Sequence, residues 1–296
     1  MTLVSKEIVS AASGRQDIGL AEMPAPAATR KSAGISWPVQ CLLIQIALSV
    51  VFLLGWQYLP TIKLLSQNIK VFDSFFISSP TAVARDIVGL MTGENDNRIT
   101  LWPFLWTTVV ATVLGTSIGL ILGALAGLLV SNSEKLGDVT RPFLVIANSI
   151  PRVAIIPIFV VLAGPTLAAS VISIVAVVFF VAFFNALEGG RSIQPAILEN
   201  AKLLGAGDYQ IMRSIRLPMV LTWTFAAIPN AISFGLIVAV TTELLAGIPG
   251  MGALLLSATA NIQAGLTFAI IVILSVVGLC LYWGTTAIRN RVIHWR

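Results

Sequence analysis

Charge is scarce in this sequence. Charged residues make up 10% of it, against about 25% in an average soluble domain. Hydrophobic residues reach 57% and the mean hydropathy is +0.93. A chain this apolar cannot cover its surface with polar groups, so its solvent is lipid. Histidine is reduced to one residue, His294, which excludes a His/Cys metal cluster. The two cysteines, Cys41 and Cys280, each fall inside an apolar run and read as buried small hydrophobes rather than as a disulfide framework. No glycine is followed by lysine, so the chain has no G-x-x-x-x-G-K-[ST] loop to cradle ATP phosphates. It also has no Ser/His/Asp, Cys/His or paired-carboxylate arrangement, which argues against an integral membrane enzyme. No catalytic residue, metal, cofactor or nucleic-acid partner is expected on this chain.

What is abundant is long apolar sequence. A hydrocarbon core about 30 Å thick needs roughly 20 apolar residues in a helix. Six stretches qualify, at about 38–59, 104–130, 142–163, 167–187, 217–245 and 266–288. The first is longer than a signal-peptide core and is read as a retained span. The third is punctuated by Pro142, Pro151 and Pro157 and interrupted by Arg152. Residues 1–36 are polar, rich in Ala, Ser and Pro, and without an apolar period; they are expected to form a disordered cytoplasmic tail, with residues 37–296 as one transmembrane domain.

The basic residues orient the spans. Lys6, Arg15, Arg30, Lys31, Lys135, Arg141, Arg191, Lys202, Arg213, Arg216, Arg289, Arg291 and Arg296 flank span ends on one side, 13 of the 18 Lys and Arg. Basic residues near span ends stay cytoplasmic, so both termini and the loop 188–217 are expected in the cytoplasm. On the opposite side, SPTAVARDIVGLM (79–91) places Val83, Ile87 and Leu90 at helical spacing, a short interfacial helix. The uncharged loop 246–265 reads as a turn and a partly inserted helix over the bundle.

One segment of the second half is both charged and broken by glycine: ENAKLLGAGDYQIMRSIRLP, residues 199–218. Pro195 suits the first turn of a helix, and Ile197, Ala201 and Leu204 then share a face. Gly205 and Gly207 are expected to end this helix, and Asp208 to cap a second short one running through Arg213, with Ile211, Met212 and Ile215 on its apolar side. Two short helices at a fixed angle on the cytoplasmic edge make a docking shape.

The spacing of this segment carries a resemblance. Glu199, the short Asn200, Ala201, Gly205 and the run Ile215, Arg216, Leu217, Pro218 resemble the E-A-A-x-x-x-G-x9-I-x-L-P signature of ABC importer permeases, with Asn where the family usually has Ala. SPTAVARDIVGL, LGTSIGLILGALAGLLV, IPRVAIIPIF and ELLAGIPGMGALL look like the nitrate, taurine and alkanesulfonate branch, whereas LAGPTLAAS replaces the Gly-x-Gly and Ser-Lys pair common there. The resemblance implies an all-α integral membrane fold of six transmembrane helices, the type I ABC importer permease with a cytoplasmic coupling hairpin. It implies a bacterial inner-membrane protein working with two ATPase copies that bind ATP and Mg, a second permease chain forming a homodimer, and a solute-binding protein. Glu199 would brace the hairpin, within itself or to the partner; Leu204, Ala206 and Tyr209 would meet the ATPase. The solute implied is a nitrate-, sulfonate- or taurine-like anion, with a pyrimidine precursor, an aromatic acid or an amino acid as alternatives.

Inside the spans, Gly115, Gly119, Gly123 and Gly127 form a small face every four residues, a close helix contact with a neighbour left open. Pro151 and Pro157 remove helix hydrogen bonds, and broken helices expose backbone to solutes in transporters. Arg152, Asn230, Ser233 and Glu243 are the polar candidates for the translocation path, Glu243 as an outer gate; the alternatives are an interfacial or gating role for Arg152, a helix-packing hydrogen bond for Asn230, and a headgroup contact or a cap on the following loop for Glu243. A gradient-driven transporter would need a relay of intramembrane ionisable groups; only Arg152 and Glu243 are offered.

Overall fold

The computed structural model describes residues 37–58, 78–94 and 99–292. The expected tail, 1–36, lies outside them. The chain divides into two units, residues 1–51 and 52–296. Helix α1 (Trp37–Tyr58) begins in the first unit; its 22 residues extend about 33 Å at 1.5 Å per residue.

The second unit opens with about the last two turns of α1, from Phe52 to Tyr58. Trp56 meets Phe268 edge-on at 5.5 Å, and the Gln57 carboxamide accepts from the Thr81 N–H at 3.3 Å while donating to the Thr81 hydroxyl at 3.2 Å. Helix α2 (Pro80–Thr92) follows. The Ser79 hydroxyl accepts from the Ala82 N–H and satisfies one orphan donor of the first turn. Val83 and Leu90 point inward, as their spacing requires.

Helices α3 (Leu101–Ser131) and α6 (Leu167–Arg191) form the main contact. Gly115 faces Ile174, Gly119 faces Val178, Gly123 faces Ala182 and Gly127 faces Ala186. The offset is constant, so the two helices run parallel, and the glycine face packs within the same chain. A methyl group at any of these four glycines would collide with α6 side chains or backbone.

Two parallel helices require a return path between them. It is not the continuous span expected at 142–163. Helix α4 (Glu134–Ser149) carries Pro142 inside it, the chain is extended at Ile150 and Pro151, a 3-10 turn covers Arg152–Ile155, and α5 (Ile156–Ala163) completes the run. The physical reason is local. The residue before a proline is pushed out of the helical region, and Ile150 accordingly sits at ψ 126°. Pro157 falls in the first turn of α5, where its missing N–H costs little. Among the described residues, five helices are long and apolar enough to cross a membrane.

The basic loop leads through α7 (Pro195–Leu203) and α8 (Asp208–Ile211) into α9 (Leu217–Ala246). Helix α9 runs antiparallel to α6: Val220 lies against Gly190, Trp223 against Gly189, and Gly235 against Ile174. Helix α10 (Met251–Ala260) tucks in behind it, and α11 (Ala264–Val292) ends the described chain. Cys280, on α11, is exposed and Cys41 half-buried, rather than both buried as expected. One apolar cluster joins Ala111, Ile156, Ile174, Val178, Ala231 and Val238 of α3, α5, α6 and α9. A second joins Leu90, Leu101, Met251, Leu254 and Ile270 at the other end.

Candidate functional site

The hairpin 195–216 is built from its two ends inward. Pro195 occupies the first turn of α7 and Gln194 precedes it in an extended conformation. At the other end the Ala206 N–H donates to the Ala201 oxygen at 3.0 Å and the Gly205 N–H to the Lys202 oxygen at 2.9 Å. This pair of bonds is the Schellman closure, which places the residue after the cap in the left-handed region. That residue is Gly205, at φ +84°. A Cβ on Gly205 would meet nothing within 4 Å, so conformation rather than space demands glycine.

Gly207 behaves differently from expectation. Its φ is −74°, open to any residue, and it starts α8 rather than ending α7. Asp208 is therefore not the cap; it lies in the first turn, where a negative charge suits the helix dipole. Nor is there a separate second helix through Arg213. A π turn over Met212–Arg216, closed by the Leu217 N–H on the Met212 oxygen, joins α8 to α9. The helical run is continuous over Asp208–Ala246, 39 residues. Pro218 sits in the first turn of α9, and Ile215 and Leu217 are half-buried.

The tip presents apolar side chains to solvent. Leu203 is 85% exposed, Leu204 89% and Tyr209 75%, while Ile211 is buried. Leu204 is the cap rather than part of a packed face with Ile197 and Ala201. Leu203 was not singled out from the sequence; the signal was there in two adjacent leucines directly before a helix-ending glycine. Glu199 and Asn200 are exposed. Glu199 makes no side-chain hydrogen bond or salt bridge among the described residues, so the internal brace is absent there. Bracing comes from Arg216, whose Nη1 donates to the Ser131 carbonyl oxygen at the end of α3 at 2.6 Å. The charge completes an orphan carbonyl at the negative end of the α3 dipole. Between the arms and α3 lies a cavity of about 220 Å³ lined by Asn132, Leu198, Lys202, Asp208, Ile211 and Arg216.

At the far end of α9, Glu243 is fully buried. Its Oε2 accepts from the Thr108 hydroxyl at 2.9 Å and from the Gly252 N–H at 2.9 Å, and the Thr108 hydroxyl oxygen accepts from the Met251 N–H at 2.9 Å. The acid thus ties α9 to α3 and to the first turn of α10. Gly250 and Gly252 pass so close to it that a Cβ on either would overlap the Glu243 side chain. Protein encloses the carboxylate: one helix-starting N–H, that of Gly252, and the Thr108 hydroxyl converge on Oε2, while the buried Oε1 has no hydrogen-bond partner among the described residues.

Among the described residues, the other candidates for the path lie on α9 and at the break before α5. Asn230 and Ser233 are exposed on α9 on the same side as Trp223, Phe234 and Ile237, and the Ser233 hydroxyl donates to the Pro229 oxygen at 3.1 Å. Pro151 and Pro157 are exposed at the break. Arg152 opens the 3-10 turn; its side chain lies outside the described residues. Among the described residues no group of His, Cys, Asp and Glu is placed to hold a metal ion.

Comparison with known proteins accords with this geometry. The chain is 31% identical over 166 residues to a probable ABC transporter permease protein of Haemophilus influenzae, covering 56% of this chain and 68% of that one. It is 26% identical to the riboflavin transport system permease protein RibX of Chloroflexus aurantiacus, over 54% and 60% of the two chains. It is 22% identical to the taurine transport system permease protein TauC of Escherichia coli, over 88% and 92%. A chain of the inward-facing methionine ABC transporter MetNI shares the fold, with a TM-score of 0.56 at 18% identity over 66% of this chain and 96% of that one. The family model described as binding-protein-dependent transport system inner membrane component matches residues 115–294, and the chain belongs to that family, the non-enzymatic permease subunits of ABC importers.

Proposed function

We propose that this chain, as an importer permease for a small solute, takes its drive from a separate ATPase seated on the hairpin 195–216, with the basic end of the bundle in the cytoplasm. The observation that carries this reading is the tip: Leu203, Leu204 and Tyr209 stand exposed on a turn held by Gly205. Exposed large apolar groups clustered beside polar ones mark an interaction site. Two such chains, two ATPase copies with ATP and Mg, and a solute-binding protein on the opposite face make up the working assembly.

In this assembly, closing of the ATPase pair moves the two hairpins as rigid bodies, the kind of displacement that switches a packed structure between discrete states. The movement enters α9 without a joint, because α8, the π turn and α9 form one helical run. It also enters α3 through Arg216 and Ser131. The broken return path around Arg152–Ile155 supplies a sixth crossing and the non-helical backbone that a solute path at membrane depth needs. The exposed side of α9 with Asn230 and Ser233 faces the second permease chain across that path. The solute is a small anion of the nitrate, sulfonate or taurine kind, supported by the taurine permease among the relatives; the riboflavin permease keeps other small solutes in contention.

The test is co-purification from the native cell in mild detergent, wild type beside Gly205→Asp. An ATPase that accompanies the wild type and is lost or uncoupled in the variant is the expected result. Normal solute uptake by Gly205→Asp, with the ATPase retained, would remove the hairpin from the coupling path.

A further inference from the structure

Helix α4 and the last two turns of α6 enclose a second cleft, of about 250 Å³, that the coupling machinery does not use. Its lining changes along its length. Arg141 of α4 and Glu188 and Arg191 of α6 form one end; Leu144, Phe184 and Leu187 form the other. Because α6 ends at Arg191, the charged mouth lies at the basic end of the bundle and the apolar floor about a turn deeper. Gly137 lines the mouth beside Arg191; a Cβ there would come within 2.9 Å of the Arg191 guanidinium, the mobile end of a long side chain. Neither Arg141 nor Arg191 makes a side-chain hydrogen bond or salt bridge to another described residue.

The opposite flank of α4 identifies its surroundings. Leu136, Val139, Phe143 and Ile146 follow one another at helical spacing and are exposed, with Ile150 continuing the line. An exposed apolar stripe on an otherwise polar helix places that helix where headgroups meet hydrocarbon. The cleft therefore opens at the level of lipid phosphates, with cations at its mouth and hydrocarbon-like walls behind them.

We propose that this cleft binds the headgroup of one anionic glycerophospholipid of the phosphatidylglycerol type. The phosphodiester lies between Arg141 and Arg191, whose planar forks match phosphate oxygens. A headgroup hydroxyl donates to the Glu188 carboxylate, and the first carbons of the acyl chains rest on Leu144, Phe184 and Leu187. Two guanidinium groups and one carboxylate leave a single positive charge, which one phosphodiester neutralises. The volume, below the range of about 300–1,000 Å³ for pockets of drug-sized ligands, suits a headgroup rather than a whole lipid. Basic clefts between helices on the cytoplasmic side are where anionic headgroups bind.

The experiment is native mass spectrometry of the full chain, with the subunits that co-purify, after incubation in equal parts phosphatidylglycerol and phosphatidylcholine. The wild type is expected to retain one phosphatidylglycerol per chain, at least about tenfold more than the Arg141→Gln/Arg191→Gln variant, since the loss of a single charged hydrogen bond already gives about that factor. Gly137→Leu keeps both arginines and blocks the mouth; it is expected to lose the lipid as well, which guards against a folding defect in the double variant. Equal retention of phosphatidylcholine by the wild type, or undiminished phosphatidylglycerol on the correctly folded variants, overturns the site. A third arm adds inorganic phosphate to delipidated protein. Saturable phosphate binding that the double variant abolishes and that phosphatidylglycerol does not displace assigns the cleft to free phosphate and overturns the lipid.

Discussion

The Arg216 guanidinium donates to the carbonyl oxygen of Ser131, 85 residues earlier in the chain, at 2.6 Å. This bond holds the arm of the hairpin that leads into α9 against the end of α3. A hydrogen bond from a charged donor contributes about 1.5–3 kcal/mol. Arg216→Met is expected to keep the ATPase bound, since Leu203, Leu204 and Tyr209 remain in place, but to lower solute uptake roughly tenfold per ATP hydrolysed, the factor that about 1.4 kcal/mol represents. Uptake and hydrolysis measured together in proteoliposomes check it; an unchanged ratio would show that the bond carries no drive.

The two glycines of the hairpin separate conformation from space. Both have open space where a Cβ would go, yet only Gly205 has positive φ. Gly205→Ala is expected to cost about 1–2 kcal/mol, the left-handed penalty for a side chain, and Gly205→Asn less, because Asn tolerates that region. Gly207→Ala is expected to be neutral or to stabilise by about 0.4–1 kcal/mol. Transport rates and thermal midpoints of the three variants give the order; equal effects at 205 and 207 would contradict it.

Glu243 predicts an asymmetry between its own variants. Glu243→Gln keeps an oxygen to accept from Thr108 and the Gly252 N–H. Glu243→Ala strands the Gly252 N–H in a buried place, at about 1–3 kcal/mol, while the Thr108 hydroxyl keeps the Phe104 carbonyl oxygen as an acceptor at 3.1 Å. The thermal midpoint in detergent is expected to fall much further for Ala than for Gln. Indistinguishable midpoints would mean that the tie between α9 and α10 contributes little.

Close packing of α3 on α6 makes Gly123 intolerant of any side chain. Gly123→Ala is expected to cost about 1–3 kcal/mol through overpacking, because the new methyl would overlap the Phe179 oxygen and the Ala182 side chain. Gly284→Ala on α11, with nothing within 4 Å, is the control. The monodisperse fraction on size-exclusion chromatography reads both.

Much of this architecture is legible in local sequence because lipid imposes it: an apolar run of helix length has few alternatives in a bilayer. The four-residue glycine period declared a close contact, though only the structure shows α6 as the partner. The hairpin turn was legible at Gly205, where one residue type answers one backbone demand. Gly207 ends no helix, because its negative φ makes no conformational demand for glycine. The expected span at 142–163 counted apolar residues across Ile150 and Pro151, whose local sterics break the helix. Partners distant in sequence left no local trace. Thr108 and Glu243 are 135 residues apart, and nothing in either segment names the other; the same holds for Ser131 and Arg216.

The π turn at Met212–Arg216 sets an angular phase. An α-helix turns about 100° per residue, so the wider turn decides which way every later side chain of α9 points relative to the hairpin. Deleting one residue there would leave composition and hydropathy almost untouched. It would nevertheless swing Asn230 and Ser233 around the axis and carry Glu243 away from Thr108, desynchronising the two ends of a single shaft.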